Sequence, residues 1–525
     1  MTKEETYVIL NKNNLALEIL LNDGYFTDQI PPCFTTKSLA KANSLDILEK
    51  VNSVSEKNDL DKKCFPIEIT VYKDDILRRT LHFPNIVKYL KLLKKMSTRF
   101  DVYDSLLDSK HSESNAKILK KFDYPSNYQK SIIKRNSEFA GYKYKLKIDI
   151  SHCYESIYSH SITWALVGKT IAKQMYLGQI KKSTLYNTGN DFDKFCSALK
   201  GNETNGIVVG PYSSRIISEM VLCGLDKELE EEKFKFTRYV DDYNFYFTSK
   251  FECEKNIPII AKILNGYNFK VNSSKIQILK YPFDILEDFS SLFEQSKNKK
   301  FEVYDILHKA QKLDIEGKKG SYKYALKYIL ENEAIDLKKL SIEESMLVFN
   351  VLLSMLINKP FVSRYVVHAI SQLSVAFSDK EPVEILNTLL KTEINSTHDQ
   401  EVLWLLYIIF RYNSQITQDN VISILEKGSD LSKIMILDLI TNHKNVIANY
   451  NRKFANQCKN KLLTISKDLE FETFFTKRWL LKYQILKSKF NPYKSFNLIL
   501  NFENDRIYKI FNDKDISFYT SPFND

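Results

Sequence analysis

The chain has 525 residues, too many for one compact core, so two or three domains are expected. An apolar share of 44% argues against long disorder, and only 13 Gly and 12 Pro argue for long helices over an all-β fold. The formal charge of +11 is a mild basic excess, compatible with a polyanionic partner, although a lysine-rich composition by itself produces as much.

The cysteines (Cys33, Cys64, Cys153, Cys196, Cys223, Cys253 and Cys458) are scattered and include no CxxC. That pattern argues against a disulfide framework or a zinc cluster and for a reducing compartment. The opening MTKEETYVILNKNN lacks the apolar core of a signal peptide. The longest apolar run, VLWLLYIIF (Val402–Phe410), is about half the length that spans a bilayer. A soluble, cytoplasmic protein is expected.

Along the chain, PIEITVYKDDILRRTLHF (Pro66–Phe83) reads as two strands joined at Asp74-Asp75, with Ile67, Ile69 and Val71 alternating before the turn and Leu77, Leu81 and Phe83 after it. KYLKLLKKMSTRF reads as a helix, YKYKLKIDIS (Tyr142–Ser151) as a strand, and IYSHSITWAL as a helix behind it. GPYSSRIISEMVLCGLDKELEEEK opens at Gly-Pro and continues with helical spacing. FKFTRYVDDYNFYFTS forms a second hairpin, and IPIIAKILNGYNFKVNSSKIQIL a helix followed by a strand. Beyond the charged break QSKNKKFEVYD near Gln295, helix follows helix: YALKYILENE, SMLVFNVLLSMLI, SRYVVHAISQLSVAF, VEILNTLLK, EVLWLLYIIFRY, NVISILEK and SKIMILDLI. Paired helices at intervals of roughly 40 residues suggest a HEAT-like stack; an irregular bundle is the alternative.

The dipeptide Asp-Asp occurs twice in hairpins, and its flanks differ. Asp74-Asp75 needs nothing beyond the liking of Asp for turns. Asp241-Asp242 is flanked by Tyr239, Val240, Tyr243, Phe245 and Phe247, which are expected to make buried strands beneath the pair. Adjacent anions on such a core repel and raise each other's pKa unless a cation neutralises them. Asp149, at the end of the apolar strand in KLKIDISHCYESI, offers a third carboxylate. An all-oxygen cluster with no His or Cys at ligand spacing suits Mg²⁺. Two such ions about 4 Å apart are the known device for in-line phosphoryl transfer.

IDISHCYESI, VGPYSSRIISEMVL, YVDD and NFKVNSSKIQIL resemble, in order and approximate spacing, the palm motifs of reverse transcriptases. The resemblance implies an α+β fold: right-hand polymerase fingers and palm (residues 1–295), then an all-α HEAT-like domain (residues 296–525) in place of the thumb. It makes Asp149, Asp241 and Asp242 metal ligands and catalytic residues. The carbonyl of Ile150 joins the metal site. Two Mg²⁺ ions are the implied cofactor, with Mn²⁺ as a substitute. Tyr154 falls at the steric gate that excludes a ribose 2′-OH, core packing being its alternative. Gly210 lets the backbone approach the incoming base pair. Here Val209 stands where the family often has Gln, so contacts made by that amide are in doubt. Tyr239 would lie under the primer end. Lys275 matches the lysine that protonates the leaving pyrophosphate, a solvated strand-end lysine being its alternative. ILRRTLHFPNIVKYLKLL resembles the fingers segment that grips the triphosphate. Arg78 and Arg79 alternate in face, so one of the two does so, and the sequence does not decide which.

No ribonuclease H-type acidic cluster or basic maturase-like segment is legible after Lys275. Together with GYFTDQIPPCFTT, VGPYSSRIISE and HKAQKLDIEGKKGSYKYALKYIL, this architecture resembles the abortive-infection reverse transcriptases, bacterial phage-defence proteins. That family implies untemplated polymerisation of deoxynucleoside triphosphates. Synthesis starts on a tyrosine of the protein, leaves single-stranded DNA covalently attached, and occurs in closed homo-oligomers (a trimer or hexamer). Tyr7 is the candidate primer, since a terminal arm can reach a site. The alternative is an RNA-templated, retron-like enzyme with an RNA partner.

Overall fold

The computed structural model describes residues 17–22, 24–54, 63–107, 109–113, 138–282, 302–318, 320–332, 335–470, 472–488 and 506–524. Tyr7 and the boundary expected near Gln295 lie outside these residues.

The first hairpin pairs β1 (Ile67–Tyr72) with β2 (Arg78–Phe83) antiparallel, with Ile67 opposite Phe83 and Tyr72 opposite Arg78. Ile67, Ile69 and Val71 point into the core, as their alternation predicts, together with Leu81 and Phe83; Leu77, expected on the same face, instead lies in the turn before β2 and is exposed. Helix α1 (Ile86–Thr98) follows, its first turn capped by the Asn85 side chain, which accepts from the amides of Val87 and Lys88.

The second sheet has β3 (Tyr144–Ser151) at its centre, with β5 (Asp242–Phe247) on one side and β6 (Lys270–Val271) and β7 (Gln277–Lys280) on the other. β4 (Phe236–Tyr239) pairs with the outer edge of β5. Every pairing is antiparallel, and Leu146, Ile148 and Ile150 of β3 are buried. Helices α2 (Tyr212–Glu231) and α3 (Lys250–Gly266) pack on each other, and α3 lies on β3, β5 and β6. The helix expected directly behind β3 is broken. A single turn, Cys153–Ser156, precedes the helix Ser161–Val167. Between them Ser159 and Gly206 donate backbone hydrogen bonds to Thr204 and Ile157, which holds the chain out of helical register. Two helices that the hydrophobic pattern did not announce, Lys169–Tyr176 and Thr184–Ala198, follow.

The C-terminal part is helical: α4 (Glu302–Ile315), α5 (Ser321–Glu331), α6 (Ile342–Asn358), α7 (Ser363–Ile370), α8 (Lys380–Asn395), α9 (Asp399–Arg411), α10 (Gln418–Lys427), α11 (Asp430–Asn442), α12 (Arg452–Asp468), α13 (Trp479–Lys487) and α14 (Arg506–Asp513). Chain neighbours pack in pairs, α4 on α5, α6 on α7, α8 on α9 and α10 on α11. SRYVVHAISQLSVAF is helical only as far as Ile370. The apolar run at Val402–Phe410 lies in α9, where every residue from Gln400 to Phe410 is buried. It is a core helix, and among the described residues no single helix is long and apolar enough to cross a membrane.

The last segment returns to the first. Thr35 donates its amide to Phe518 and Thr520 donates to Cys33, while α14 packs on the helix Ser44–Val54. All seven cysteines are buried, and none is joined in a disulfide.

Candidate active site

The β3–β5 register sets Asp149 directly opposite Asp242, and Asp241 occupies the turn that joins β4 to β5. Asp149 and Asp241 line one cleft of about 1660 Å³ with Ile150, Tyr154, Gly210 and Lys275. The carboxylates act on one another. Burial, and then the charge of Asp149, hold the Asp241 carboxyl above its usual range, against an opposing pull from Lys275 and Arg79. Loss of solvent and the charges of Asp241 and Asp149 push Asp242 up to about 6.

The Asp-Asp pair of the first hairpin behaves in the opposite way. Asp74 Oδ1 accepts from the amides of Ile76 and Leu77, which is the turn capping the sequence suggested, and this lowers its pKa. Asp75 is lowered by the Tyr72 hydroxyl and by Lys359, whose Nζ stands 3.0 Å from Oδ1. One dipeptide is stabilised as an anion pair; the other is crowded.

The crowded pair stands on an unusual turn. Val240, a β-branched residue, has φ +56°, a region that such side chains rarely enter. Its carbonyl accepts from Arg238 at 2.9 Å. Arg238 is completely buried and bonds Glu219 at 2.8 and 3.0 Å and Asp226 at 2.7 and 2.9 Å, both on α2. Burial alone would lower its pKa, but Asp226 and Glu219 outweigh that effect and raise it. The two acids carry one charge more than the arginine offsets, and hydroxyl donors meet it: Ser112 to Glu219 at 2.6 Å, Ser109 and Tyr243 to Asp226 at 3.0 and 3.1 Å. Sequence reasoning missed this anchor. Its signal was an arginine inside an apolar strand together with two acids seven residues apart in an apolar helix, hence on one face.

The donor set fits a hard divalent cation. Three carboxylates converge, two with raised affinity for positive charge, and neither ring nor thiol donors compete. His152 is turned to Glu155 at 2.8 Å, and burial pushes the Cys153 thiol up to about 12. Lys275 Nζ lies 3.1 Å from Asp149 Oδ2, so the lysine now supplies part of the neutralising charge.

The remaining predicted residues divide. Tyr154 lines the cleft, half-buried beside the carboxylates, and burial raises its phenol. On the steric-gate reading that the resemblance implies, Tyr154→Ala relaxes discrimination between deoxy- and ribonucleotides by about 10²-fold, read as the ratio of kcat/KM values; on the core-packing alternative it leaves that ratio unchanged. Gly210 has φ +136°, and a Cβ there would meet the His82 carbonyl at 3.1 Å. The requirement for glycine thus comes in part from β2, because the His82 amide donates to Val209 at 2.7 Å and Val209 donates back to His82 Nδ1 at 3.2 Å. Ile150 is buried at the cleft floor. Tyr239 and Val240 correct the expectation of buried strands on both sides of the pair: Phe236, Thr237 and Arg238 of β4 are buried, but Tyr239 is 44% exposed and Val240 half-buried, because the strand opens there into the turn.

The two arginines both line the cleft and differ in their partners. Arg78 forms a two-pronged pair with Glu401 of α9, at 2.9 and 2.6 Å, which engages its guanidinium within the protein. Arg79 is exposed, lines the cleft and feels Asp241. The sequence carried no mark of Glu401 as a partner.

These features define a palm of polymerase type. Residues 85–287 match the family model described as reverse transcriptase (RNA-dependent DNA polymerase), and the chain carries a reverse transcriptase domain there. Among solved structures, the chain is similar to apo telomerase from Candida tropicalis (13% identity, 79% of this chain and 74% of that one, TM-score 0.30). It is also similar to telomerase from Candida albicans in complex with the TWJ fragment of telomeric RNA (13% identity, 79% and 67%, TM-score 0.27). No curated protein sequence matches the chain.

Proposed function

We propose that this chain is a DNA polymerase of reverse-transcriptase type that extends a protein hydroxyl with deoxynucleotides, without a template, in antiphage defence. The observation that carries the polymerase part is the convergence of Asp149, Asp241 and Asp242 at one end of a palm sheet, beside a cationic fingers strand. Untemplated, protein-primed synthesis is supported by the motif resemblance to abortive-infection enzymes and by the cleft's far wall. There Lys323 and Lys327 of α5, Arg364 and Tyr365 of α7 and Arg411 of α9 line the same cleft as Asp149 and Asp241. Both lysines lie over the Tyr365 ring, at 5.7 and 5.9 Å. A basic wall with an aromatic platform suits a single strand. We read the paired helices that build it as a HEAT-like stack.

Asp149, Asp241 and Asp242, with the Ile150 carbonyl, would hold the divalent ions, which when bound lower the cost of deprotonating the attacking hydroxyl and offset charge on the transferred phosphoryl group. Arg79 grips the triphosphate, Tyr154 fills the space beside the sugar, and Lys275, released from Asp149, donates a proton to the departing pyrophosphate. Tyr7 remains the candidate source of the first hydroxyl.

A templated reading is favoured by the description of the matched family as RNA-dependent. Incubation with Mg²⁺ and deoxynucleotides, without added nucleic acid, separates the two on a denaturing gel run before and after protease. A protease-sensitive ladder is expected; synthesis only on added template and primer would replace this reading with the templated one.

A further inference from the structure

We infer that Asp399, Gln400 and Glu401, the first turn of α9, are positioning residues that fasten the fingers hairpin so that Arg79 is presented to the cleft. β1 is an edge strand, whose outward N–H groups need partners. Here the helix supplies them. Thr70 donates its amide to Asp399 Oδ2 at 2.8 Å, and Tyr72 donates its amide to Gln400 Oε1 at 2.9 Å. In return the Asp399 amide donates to Thr70 Oγ1 at 3.3 Å, satisfying one of the orphan donors of the helix end. The third residue of the turn, Glu401, takes both prongs of Arg78 and is 1% exposed. His398 and Glu393 stand behind it, 2.7 Å apart.

The hairpin is therefore held along its edge and, through Asp75 and Lys359, at its tip. Successive strand residues face opposite ways, so fixing Arg78 fixes the direction of Arg79. A fingers element that grips triphosphate in this chain thus takes its position from the helical region.

The kinetic half of this inference rests on the polymerase reading; the structural half does not, and two measurements keep them apart. In Glu401→Gln, amide hydrogen exchange over residues 67–83 is expected to rise by about 10–100-fold, the loss of one charged hydrogen-bonded pair, with the β3–β5 ladder unaffected. In the same variant KM for deoxynucleotide is expected to rise about tenfold, with kcat within about threefold of wild type. The double variant Glu401→Gln/Arg79→Ala should match Arg79→Ala alone, because both changes remove one function. Unchanged exchange in the hairpin, or KM effects of Glu401→Gln and Arg79→Ala that multiply, would overturn the inference. Wild-type protein that incorporates no nucleotide would fell the polymerase reading instead, and the exchange result would still decide whether the clamp exists.

Discussion

Asp241→Asn is expected to reduce deoxynucleotide incorporation by about 10²–10³-fold or more, the scale of losing one preorganised electrostatic contact at a reacting centre. The side chains are isosteric, so the β4–β5 turn should survive. Stability should rise, because burial, and then the charge of Asp149, raise the Asp241 pKa and the folded state thus disfavours its charge. The same sign holds for Asp242. With a folded pKa of about 6 against an ordinary carboxyl value of 3.8, the folded state holds the extra proton between those values. In chelator, stability should accordingly fall as pH rises through that window, and Asp242→Asn should flatten the slope. Thermal unfolding of the three proteins between pH 4 and 7 checks both statements. A variant that loses activity by unfolding would show the reverse shift.

Arg238→Met is expected to be the most damaging single change away from the carboxylates. It leaves Glu219 and Asp226 buried without a counter-charge, at a cost of about 3–5 kcal/mol, visible as a lower urea midpoint. Removing the acids as well, in Arg238→Met/Glu219→Met/Asp226→Leu, should recover most of that loss, since apolar groups of similar volume replace buried ion pairs well. Activity should not return. Val240 still lacks the donor that holds its left-handed turn, and Asp241 depends on that turn. A triple variant as active as wild type would show that the arginine serves the fold alone.

What could be read from the chain follows the range of each interaction. The two hairpins, α1 and α2, and most of the C-terminal helices are written in local alternation or helical spacing, and their elements stand where the pattern puts them. The three carboxylates were legible because their neighbours made charge there expensive. Tyr239 was misjudged because an aromatic residue at the last position of a strand has the same local pattern as one in its middle. Glu401 and Arg78 lie 323 positions apart, and Asp399 and Thr70 329. No periodicity registers such pairs. The return of Phe518–Thr520 to Cys33–Thr35 was hidden for the same reason.

The measurement that bears most directly on the account is Mn²⁺ binding, followed by electron paramagnetic resonance, with and without a deoxynucleoside triphosphate. Wild-type protein should bind the ion, more tightly with the nucleotide present, and Asp149→Asn/Asp241→Asn should lose both effects while keeping its fold. Equal binding by the double variant would mean that these carboxylates do not form the catalytic centre.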